Sequence, residues 1–262
     1  MIDFKKVSFT YPVGVTALRG IGFSIKSGER VGLIGQNGSG KTTLMKLCNG
    51  LLKPSKGRVL INGEDTVPQS IASLSSIVGY VFQNPDDQIF SSTIFDEVAF
   101  GPRNLGFKKK ELKSSVKDSL EKVGLWKRRK SHPYDVGYNQ RKLITIASIL
   151  AMDTDAVILD EPTTGQDPVG KRVVTKIVKS LSEDKTFIVA SHDIEFIAGT
   201  CDRVIVLDDG KLVLDDSTRR VFSKKSLLKK LGLSPPMITR VCQRVKGLKN
   251  DCLTVKEVVS GV

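Results

Sequence analysis

One glycine-rich stretch reads Gly35-Gln36-Asn37-Gly38-Ser39-Gly40-Lys41-Thr42-Thr43. It follows an apolar run at residues 31–34 and precedes a helical pattern that opens at Leu44. Glycines let backbone N–H groups turn toward a polyphosphate, and the N-terminus of the following helix adds its positive dipole end. The spacing Gly-x4-Gly-Lys-Thr between a strand and a helix therefore predicts a phosphate-binding loop.

Two side chains of this loop suit particular roles on a nucleoside triphosphate. Lys41 is long enough to reach the β- and γ-phosphates, and the hydroxyl of Thr42 is an oxygen ligand of the kind that Mg²⁺ accepts. We therefore predict a nucleoside triphosphate and Mg²⁺ as the bound cofactors, and the family resemblance described below implies that the triphosphate is ATP. The predicted nucleotide-binding residues of the loop are Gly35, Gln36, Asn37, Gly38, Ser39, Gly40, Lys41, Thr42 and Thr43.

The composition is that of an ordinary soluble protein, with 262 residues of which 40% are hydrophobic and 26% charged. No apolar run reaches the roughly 18 residues of a membrane-spanning helix, and the N-terminus lacks the apolar core of a signal peptide. The four cysteines form no Cys-x-x-Cys pair, which favours reduced thiols over a metal site. We expect a cytosolic chain that does not itself cross a membrane.

The net charge of +13 is concentrated in two segments. Residues 107–130 carry +7 and residues 217–262 carry +9, which leaves −3 on the remainder. A run of like charge is most often a solvated helix face. An anionic membrane surface and nucleic acid are the sharper alternatives, and charge alone does not choose between them.

Strand and helix patterns alternate along the chain, which predicts a largely parallel sheet covered on both faces. Residues 84–153 instead show helical spacing, and we interpret them as a helical insertion. In the tail we expect a basic helix around residues 221–231, a break at Pro235-Pro236, and a last helix that begins near Thr254. The predicted strands are residues 2–11, 18–25, 31–34, 58–61, 77–82, 156–160, 186–190 and 203–207.

An acid pair, Asp160-Glu161, ends the apolar strand at residues 156–160. A carboxylate at the end of a neighbouring parallel strand can complete the Mg²⁺ shell, and we assign this role to Asp160. Glu161 is then placed to polarise a water for attack on the γ-phosphate. The pair predicts an enzyme that hydrolyses a nucleoside triphosphate.

Together these motifs resemble the nucleotide-binding subunit of the ATP-binding cassette (ABC) family over residues 1–216. The resemblance implies an α/β P-loop NTPase fold of the ABC ATPase type, with a RecA-like parallel-sheet core, an antiparallel β-subdomain and a helical insertion at about residues 84–153. Residues 217–262 would form a short basic C-terminal extension. Beyond the phosphate loop, the matching segments are Gln83 (Q-loop), Ile158-Leu159-Asp160-Glu161-Pro162 (Walker B), Thr164-Gly165-Gln166-Asp167 (D-loop, with Gln166 where leucine is common) and Ser191-His192-Asp193 (switch histidine).

The resemblance also implies roles for individual side chains. Tyr11 would stack on the adenine, Gln83 would contact Mg²⁺ or the attacking water, and His192 would hydrogen-bond to the γ-phosphate. Taken alone, Tyr11 could simply pack and His192 could be structural. The expected catalytic residues are Glu161, His192, Gln83 and Lys41, the expected metal ligands are Thr42, Gln83 and Asp160, and Asp167 is expected in the D-loop.

Residues 83–102 are similar to one branch of the family, the energy-coupling-factor (ECF) transporters, which take up vitamins and cobalt or nickel ions. The stretches that carry the similarity are Gln-Asn-Pro-Asp-Asp-Gln at residues 83–88, Asp-Glu-Val-Ala-Phe-Gly-Pro at residues 96–102, and Leu-Gly-Leu-Ser-Pro-Pro at residues 231–236. The resemblance implies that residues 83–102 line a groove where a coupling helix of the membrane subunit docks. The apolar candidates for such a contact are Ile89, Phe90, Ile94, Phe95, Val98 and Phe100, of which we expect at least half to be core.

One segment departs from the family pattern. The family signature Leu-Ser-Gly-Gly-Gln aligns with Val136-Gly137-Tyr138-Asn139-Gln140. In the family this loop presents hydroxyl and N–H groups to the γ-phosphate bound by the opposite subunit. Gly137 lacks the hydroxyl and Asn139 replaces a glycine, so we hypothesise an asymmetric heterodimer in which a partner cassette supplies an intact signature.

The leading interpretation is an ATP-hydrolysing subunit of an ECF-type transporter, peripheral to the cytoplasmic face of the cell membrane. Its expected partners are a second ABC ATPase subunit, a transmembrane coupling subunit and a separate substrate-binding membrane protein, with no nucleic acid. The alternative is a soluble ABC ATPase that acts on nucleic acid or ribosomes, which the basic segments would suit. A nucleotide switch that barely hydrolyses is a third possibility, against which Glu161 argues.

Overall fold

Strands and helices alternate through most of the chain, of which a computed structural model describes residues 1–181, 185–245 and 247–260. The strands in these ranges are β1 (Ile2–Thr10), β2 (Thr16–Ile25), β3 (Arg30–Ile34), β4 (Lys56–Ile61), β5 (Glu64–Asp65), β6 (Val78–Val81), β7 (Ala156–Asp160), β8 (Thr186–Ala190), β9 (Arg203–Asp208) and β10 (Lys211–Ser217). The helices are α1 (Lys41–Cys48), α2 (Ile71–Ser75), α3 (Ile94–Asn104), α4 (Lys109–Lys122), α5 (Tyr138–Ala151), α6 (Pro168–Ser180), α7 (Ile194–Thr200), α8 (Thr218–Ser223), α9 (Lys225–Lys230), α10 (Met237–Cys242) and α11 (Val255–Ser260).

The larger sheet has the order β10-β9-β3-β8-β7-β6, and all of its pairs are parallel except β10 with β9. Strands β3 and β7 are separated by one strand, so their carboxyl ends lie at the same edge of the sheet. Strand β7 is buried along its whole length, and its alternate residues enter two different hydrophobic clusters, Val157 and Leu159 on one face and Ala156 and Ile158 on the other. This pattern is typical of a parallel sheet covered on both sides.

A smaller antiparallel sheet covers one face of the larger one. Its order is β2-β1-β4-β5, and its apolar side chains join the same cluster as Ala156 and Ile158. The opposite face is covered by the helices of the insertion. Among these, α5 is almost entirely buried from Lys142 onward and contacts both α3 and α4.

The C-terminal extension packs against the core. Val221, Phe222 and Leu228 are fully buried and belong to the cluster that also holds the insertion helices. We expected one helix over residues 221–231, and this was wrong because the backbone breaks at Lys224, with ψ of 55°, between α8 and α9. The last helix starts where predicted, since the Thr254 hydroxyl accepts a hydrogen bond from the Glu257 N–H at 3.3 Å.

The structure confirms the predicted fold class, an α/β core with an antiparallel subdomain and a helical insertion. The predicted strands 156–160 and 186–190 have the observed bounds, whereas β10 was not predicted as a strand. None of the helices in the described ranges combines the length and hydrophobicity that a bilayer crossing requires.

Because Phe222 fills the main core, the extension should unfold together with the rest of the chain. Phe222→Ala is expected to lower the free energy of unfolding by about 3–5 kcal/mol, the usual cost of a cavity left by a buried phenyl ring. Denaturant unfolding followed by circular dichroism measures this value. The matched control is Val241→Ala on α10, which is 45% exposed and should change stability little. A separate early transition, with the main transition unmoved, would contradict the prediction.

Candidate functional site

The phosphate loop connects the end of β3 to the start of α1. Gly40 is the N-cap residue of α1 and has φ of +102°, a conformation that favours glycine. A Cβ atom at Gly40 would lie 2.7 Å from the carbonyl oxygen of Ala17. Because Gly40 has no side chain to cap the helix, the first N–H groups of α1 stay available to an anionic ligand.

Lys41, the first residue of α1, is 9% exposed. Its Nζ donates hydrogen bonds to the carbonyl oxygens of Gly35 (2.8 Å) and Gln36 (2.9 Å). Burial lowers the pKa of this ammonium, and the nearby carboxylates of Glu161 and Asp160 oppose that shift. The ammonium is thus held over the loop at the edge where the two acids lie.

Asp160 ends β7 and is 3% exposed. Its Oδ2 accepts hydrogen bonds from the hydroxyls of Tyr80 (2.9 Å) and Thr42 (3.3 Å). Burial raises the pKa of this carboxyl, while the hydrogen bond from Tyr80 acts in the opposite direction. The contact with Thr42 joins two of the three predicted metal ligands, which stand 118 residues apart in the sequence.

Glu161 has a left-handed backbone, with φ of +48°, which costs energy for a residue with a side chain. Its Oε2 accepts hydrogen bonds from Ser191 Oγ (3.3 Å), Thr164 Oγ1 (3.3 Å) and the N–H of His192 (3.2 Å). Its Oε1 is buried and accepts no hydrogen bond from the part of the chain that the structure describes, although His192 Nε2 lies 3.4 Å away. A buried carboxylate with one free acceptor atom can take up a proton from a water molecule.

These groups surround one cavity of about 610 Å³. The Tyr11 hydroxyl lies on its wall, 2.9 Å from Thr43 Oγ1. Of the predicted loop residues, Gly35, Gln36 and Ser39 do not line it, although the first two hold Lys41. The cavity brings together these predicted residues: Tyr11, Asn37, Gly38, Gly40, Lys41, Thr42, Thr43, Gln83, Asp160, Glu161 and His192.

The signature-like residues 136–140 lie elsewhere, and none of them lines this cavity. Gly137 is the N-cap residue of α5. The backbone carbonyl of Asn139 accepts a hydrogen bond from Gln166 Nε2 at 2.9 Å, and the Asn139 side chain donates to Asp167 Oδ2 at 3.4 Å. The signature-like loop and the D-loop therefore contact each other, away from the phosphate loop of the same chain.

Two residues near the site were not predicted from the sequence. Lys142 is fully buried, and its Nζ donates to the carbonyl oxygens of Gln83 and, at 3.4 Å, of Asp160. Burial lowers its pKa to about 8. Tyr80 is the other, through its bond to Asp160. A lysine inside an apolar helical run was the available signal for Lys142, whereas nothing in the pattern of β6 marked Tyr80.

A second cavity of about 350 Å³ lies between α3, α5 and the segment after β6. Of the six apolar candidates for docking, Ile89, Ile94 and Val98 are buried in the core. Phe90 and Phe100 line the cavity and are 64% and 47% exposed, with ring centroids 4.7 Å apart. The exposed apolar surface of this groove is thus centred on one aromatic pair.

Comparison with known proteins places the chain in a family. A family model described as ABC transporter matches residues 18–164. The chain is 41% identical over 263 residues to the energy-coupling factor transporter ATP-binding protein EcfA of Methanothermobacter thermautotrophicus, covering 98% of this chain and 85% of that protein. It is 40% identical to EcfA2 of Caldanaerobacter subterraneus subsp. tengcongensis, covering 98% and 94%.

Solved structures agree with this result. The structure of cbiO1 from Clostridium perfringens, described as part of the ABC transporter complex cbiONQ, matches with a TM-score of 0.78 and 33% identity over 92% of this chain and 96% of that one. A dimeric ATP-binding cassette in a post-hydrolysis state with ADP and Pi matches with a TM-score of 0.76 and 27% identity, over 84% and 99%. The resemblance to the ECF branch is confirmed. The chain belongs to the ABC transporter family and is a transport-coupled ATPase subunit.

Proposed function

We propose that the chain powers an ECF-type transporter, in which ATP binding and hydrolysis drive the uptake of a vitamin or a transition-metal ion. The observation that carries this proposal is the sequence identity of about 40% to proteins named energy-coupling factor transporter ATP-binding proteins over nearly the whole chain. The charge and shape of the ATP-binding cavity do not select a cargo. A separate substrate-binding membrane protein would select the transported molecule.

The residues around the cavity at the phosphate loop fit ATP and Mg²⁺. Hydroxyl, amide and carboxylate oxygens are the ligands that Mg²⁺ prefers, and it is usually held by one or two carboxylates together with substrate phosphates. Thr42, Gln83 and Asp160 would hold the ion, and Tyr11 would stack on the adenine. When bound, Mg²⁺ neutralises negative charge on the β- and γ-phosphates.

The side chains of this chain would divide the remaining work. Lys41 exchanges its carbonyl partners for phosphate oxygens, which offer a charged acceptor. Glu161 uses Oε1 to orient a water and accept its proton, since this buried atom accepts no hydrogen bond from the described residues. His192, whose side chain is half exposed beside Glu161, donates to the γ-phosphate.

The separation of residues 136–140 from this cavity supports a site completed by a second cassette. Residues 136–140 would face the nucleotide of the partner, and the signature of the partner would face the phosphate loop described here. Gly137 and Asn139 weaken one of these two sites, so a heterodimer is favoured over a homodimer. The expected assembly is an asymmetric pair of cassettes with one stronger and one weaker ATPase site.

The groove around Phe90 and Phe100 is the proposed contact with the transmembrane coupling subunit. It fits a helix that presents apolar side chains, because apolar pockets with exposed aromatic rings commonly receive an amphipathic helix. Lys142 would link this groove to the nucleotide, because its Nζ donates hydrogen bonds to both the Gln83 carbonyl and the Asp160 carbonyl at the end of β7. The chain would thus sit at the cytoplasmic face of the membrane as a peripheral subunit.

Glu161→Gln should abolish hydrolysis but keep ATP binding. The amide cannot accept the proton of the water, so we expect steady-state phosphate release by the assembled transporter to fall at least about a hundredfold. Lys41→Ala is the contrasting variant and should weaken ATP binding about ten- to a hundredfold, because it removes a charged hydrogen-bond donor. Nucleotide binding is measured by fluorescence titration. Parental hydrolysis by Glu161→Gln would overturn the assignment.

Gly137→Ser should raise hydrolysis at the site of the partner. The added hydroxyl supplies the donor that the family signature carries, and we expect an increase of about three- to tenfold, the effect of one hydrogen bond. Phosphate release is measured in a heterodimer whose other site is inactivated. Gly137→Ala is the matched control, because it adds the carbon without the hydroxyl and should give no increase. Family-typical hydrolysis by this chain alone would count against an asymmetric pair.

Replacing Phe90 and Phe100 together by Ala should uncouple the chain from the membrane. We expect recovery of the transmembrane subunit in a tagged pull-down to fall at least about tenfold, while ATP affinity stays at the parental value. Val13→Ala is the control, since Val13 is 83% exposed but lies in the turn between β1 and β2. Undiminished recovery of the transmembrane subunit would refute the groove assignment. Recovery of nucleic acid with the tagged chain, falling steeply as the salt concentration rises, would favour the soluble alternative.

A further inference from the structure

Residues 231–237, which comprise the segment after α9 and the first residue of α10, connect two elements of the nucleotide site. At one end, Gln36 Nε2 of the phosphate loop donates a hydrogen bond to the carbonyl oxygen of Leu231 at 3.0 Å. At the other end, the N–H of Met237 donates to Glu195 Oε1 at 2.5 Å. Glu195 lies in the first turn of α7, three residues after His192. We call residues 231–237 the tail bridge.

The bridge starts from a well-defined helix end. The Gly232 N–H donates to the Lys229 carbonyl at 3.1 Å, and the Leu233 N–H donates to the Leu228 carbonyl at 2.8 Å. With φ of +65° at Gly232, this is the Schellman arrangement that commonly closes a helix. The carbonyl of Leu231 belongs to the last turn, where carbonyls lack a partner within the helix, and Gln36 supplies its donor.

The contact between the bridge and the phosphate loop leaves no room for a side chain at Gly232. A Cβ atom there would lie 2.2 Å from Gln36 Nε2. Glycine at position 232 is therefore favoured by the backbone conformation, and a side chain there would displace the side chain of Gln36. Leu231 and Leu233 pack against the main hydrophobic cluster on either side of it, which fixes the position of the carbonyl.

Gln36 also contacts Lys41, through its backbone. The carbonyl oxygen of Gln36 accepts a hydrogen bond from Lys41 Nζ at 2.9 Å. The side chain of Gln36 is thus anchored on the bridge while its backbone holds the lysine that faces the phosphates. A displacement of the Gln36 side chain would be transmitted to the loop backbone through a single residue.

We propose that the tail bridge positions the phosphate loop through Gln36 and so sets the affinity of the site for ATP. The inference rests on residues 35–43 being the nucleotide-binding loop. Gln36 and Gly232 act here as positioning residues, because they work through the loop backbone and Lys41. The C-terminal extension is then part of the nucleotide site in energetic terms.

The test is a double-mutant cycle on the full-length chain in its assembled ATPase. Gly232→Ala forces Gln36 aside, and we expect the KM for ATP to rise about three- to tenfold with kcat within twofold, which is the range of one lost hydrogen bond. Gln36→Ala should give a rise of similar size. The double variant should match Gln36→Ala alone, because the clash at residue 232 disappears when the glutamine is absent.

The control separates this effect from backbone strain. Gly247 in the same extension has φ of +92° and an open space where its Cβ would lie, so Gly247→Ala carries the strain without the contact. It should leave the KM unchanged. An unchanged KM in Gly232→Ala, or a double variant whose KM shows the full product of the two single effects, would overturn the proposal.

A second measurement covers the case in which Gly232→Ala fails to fold. Coupling between two sites is reciprocal, so ATP should change hydrogen–deuterium exchange at the Gly232 and Leu233 amides of the parent. In Gln36→Ala, whose substituted side chain is exposed, ATP should no longer change it. Exchange that ATP leaves unchanged in the parent would refute the tail bridge. A parent that binds no ATP at all would refute the proposed function instead.

Discussion

Three charged side chains, Lys41, Asp160 and Glu161, are buried at the same edge of the parallel sheet, and most of the surrounding structure keeps them there. Burial of a single charge is costly, but opposite charges in one site offset part of that cost. The order β3-β8-β7 produces this arrangement, because it aligns the carboxyl ends of strands whose residues are more than a hundred positions apart. The sheet thus supplies the geometry, and the loops supply the chemical groups.

The packing of the insertion bears directly on this edge. Helix α5 begins with the signature-like loop and then places Lys142 between the Gln83 carbonyl and the end of β7. A fully buried ammonium has few alternative positions, since leaving its acceptors unpaired would cost free energy. Movement of α5 would therefore displace the Q-loop and the acid pair together, which would link the groove proposed for the membrane subunit mechanically to the cavity at the phosphate loop.

Much of the fold and part of the site could be predicted from local sequence. Strands β7 and β8 were predicted with their observed bounds because both are continuous apolar runs, and the phosphate loop follows from glycine spacing. The roles of Lys142 and Tyr80 were missed, because both depend on contacts with Asp160 at the end of β7, which is distant in the sequence from Tyr80 and whose position is set by the order of the strands. The contact of Gln36 with Leu231 spans 195 residues and leaves no local pattern. The roles of individual site residues, and the domain limits 1–216 and 217–262, stay predictions.

The aromatic pair in the groove has a consequence for the life of the protein before assembly. Phe90 and Phe100 expose much of their rings to water, and exposed apolar surface of this kind promotes association of unassembled copies. Newly made chains that meet no membrane subunit would therefore aggregate or be degraded sooner than assembled ones. The supply of the transmembrane coupling subunit would then limit how much of this ATPase accumulates. The amounts of the two subunits would stay near a fixed ratio without a dedicated regulator.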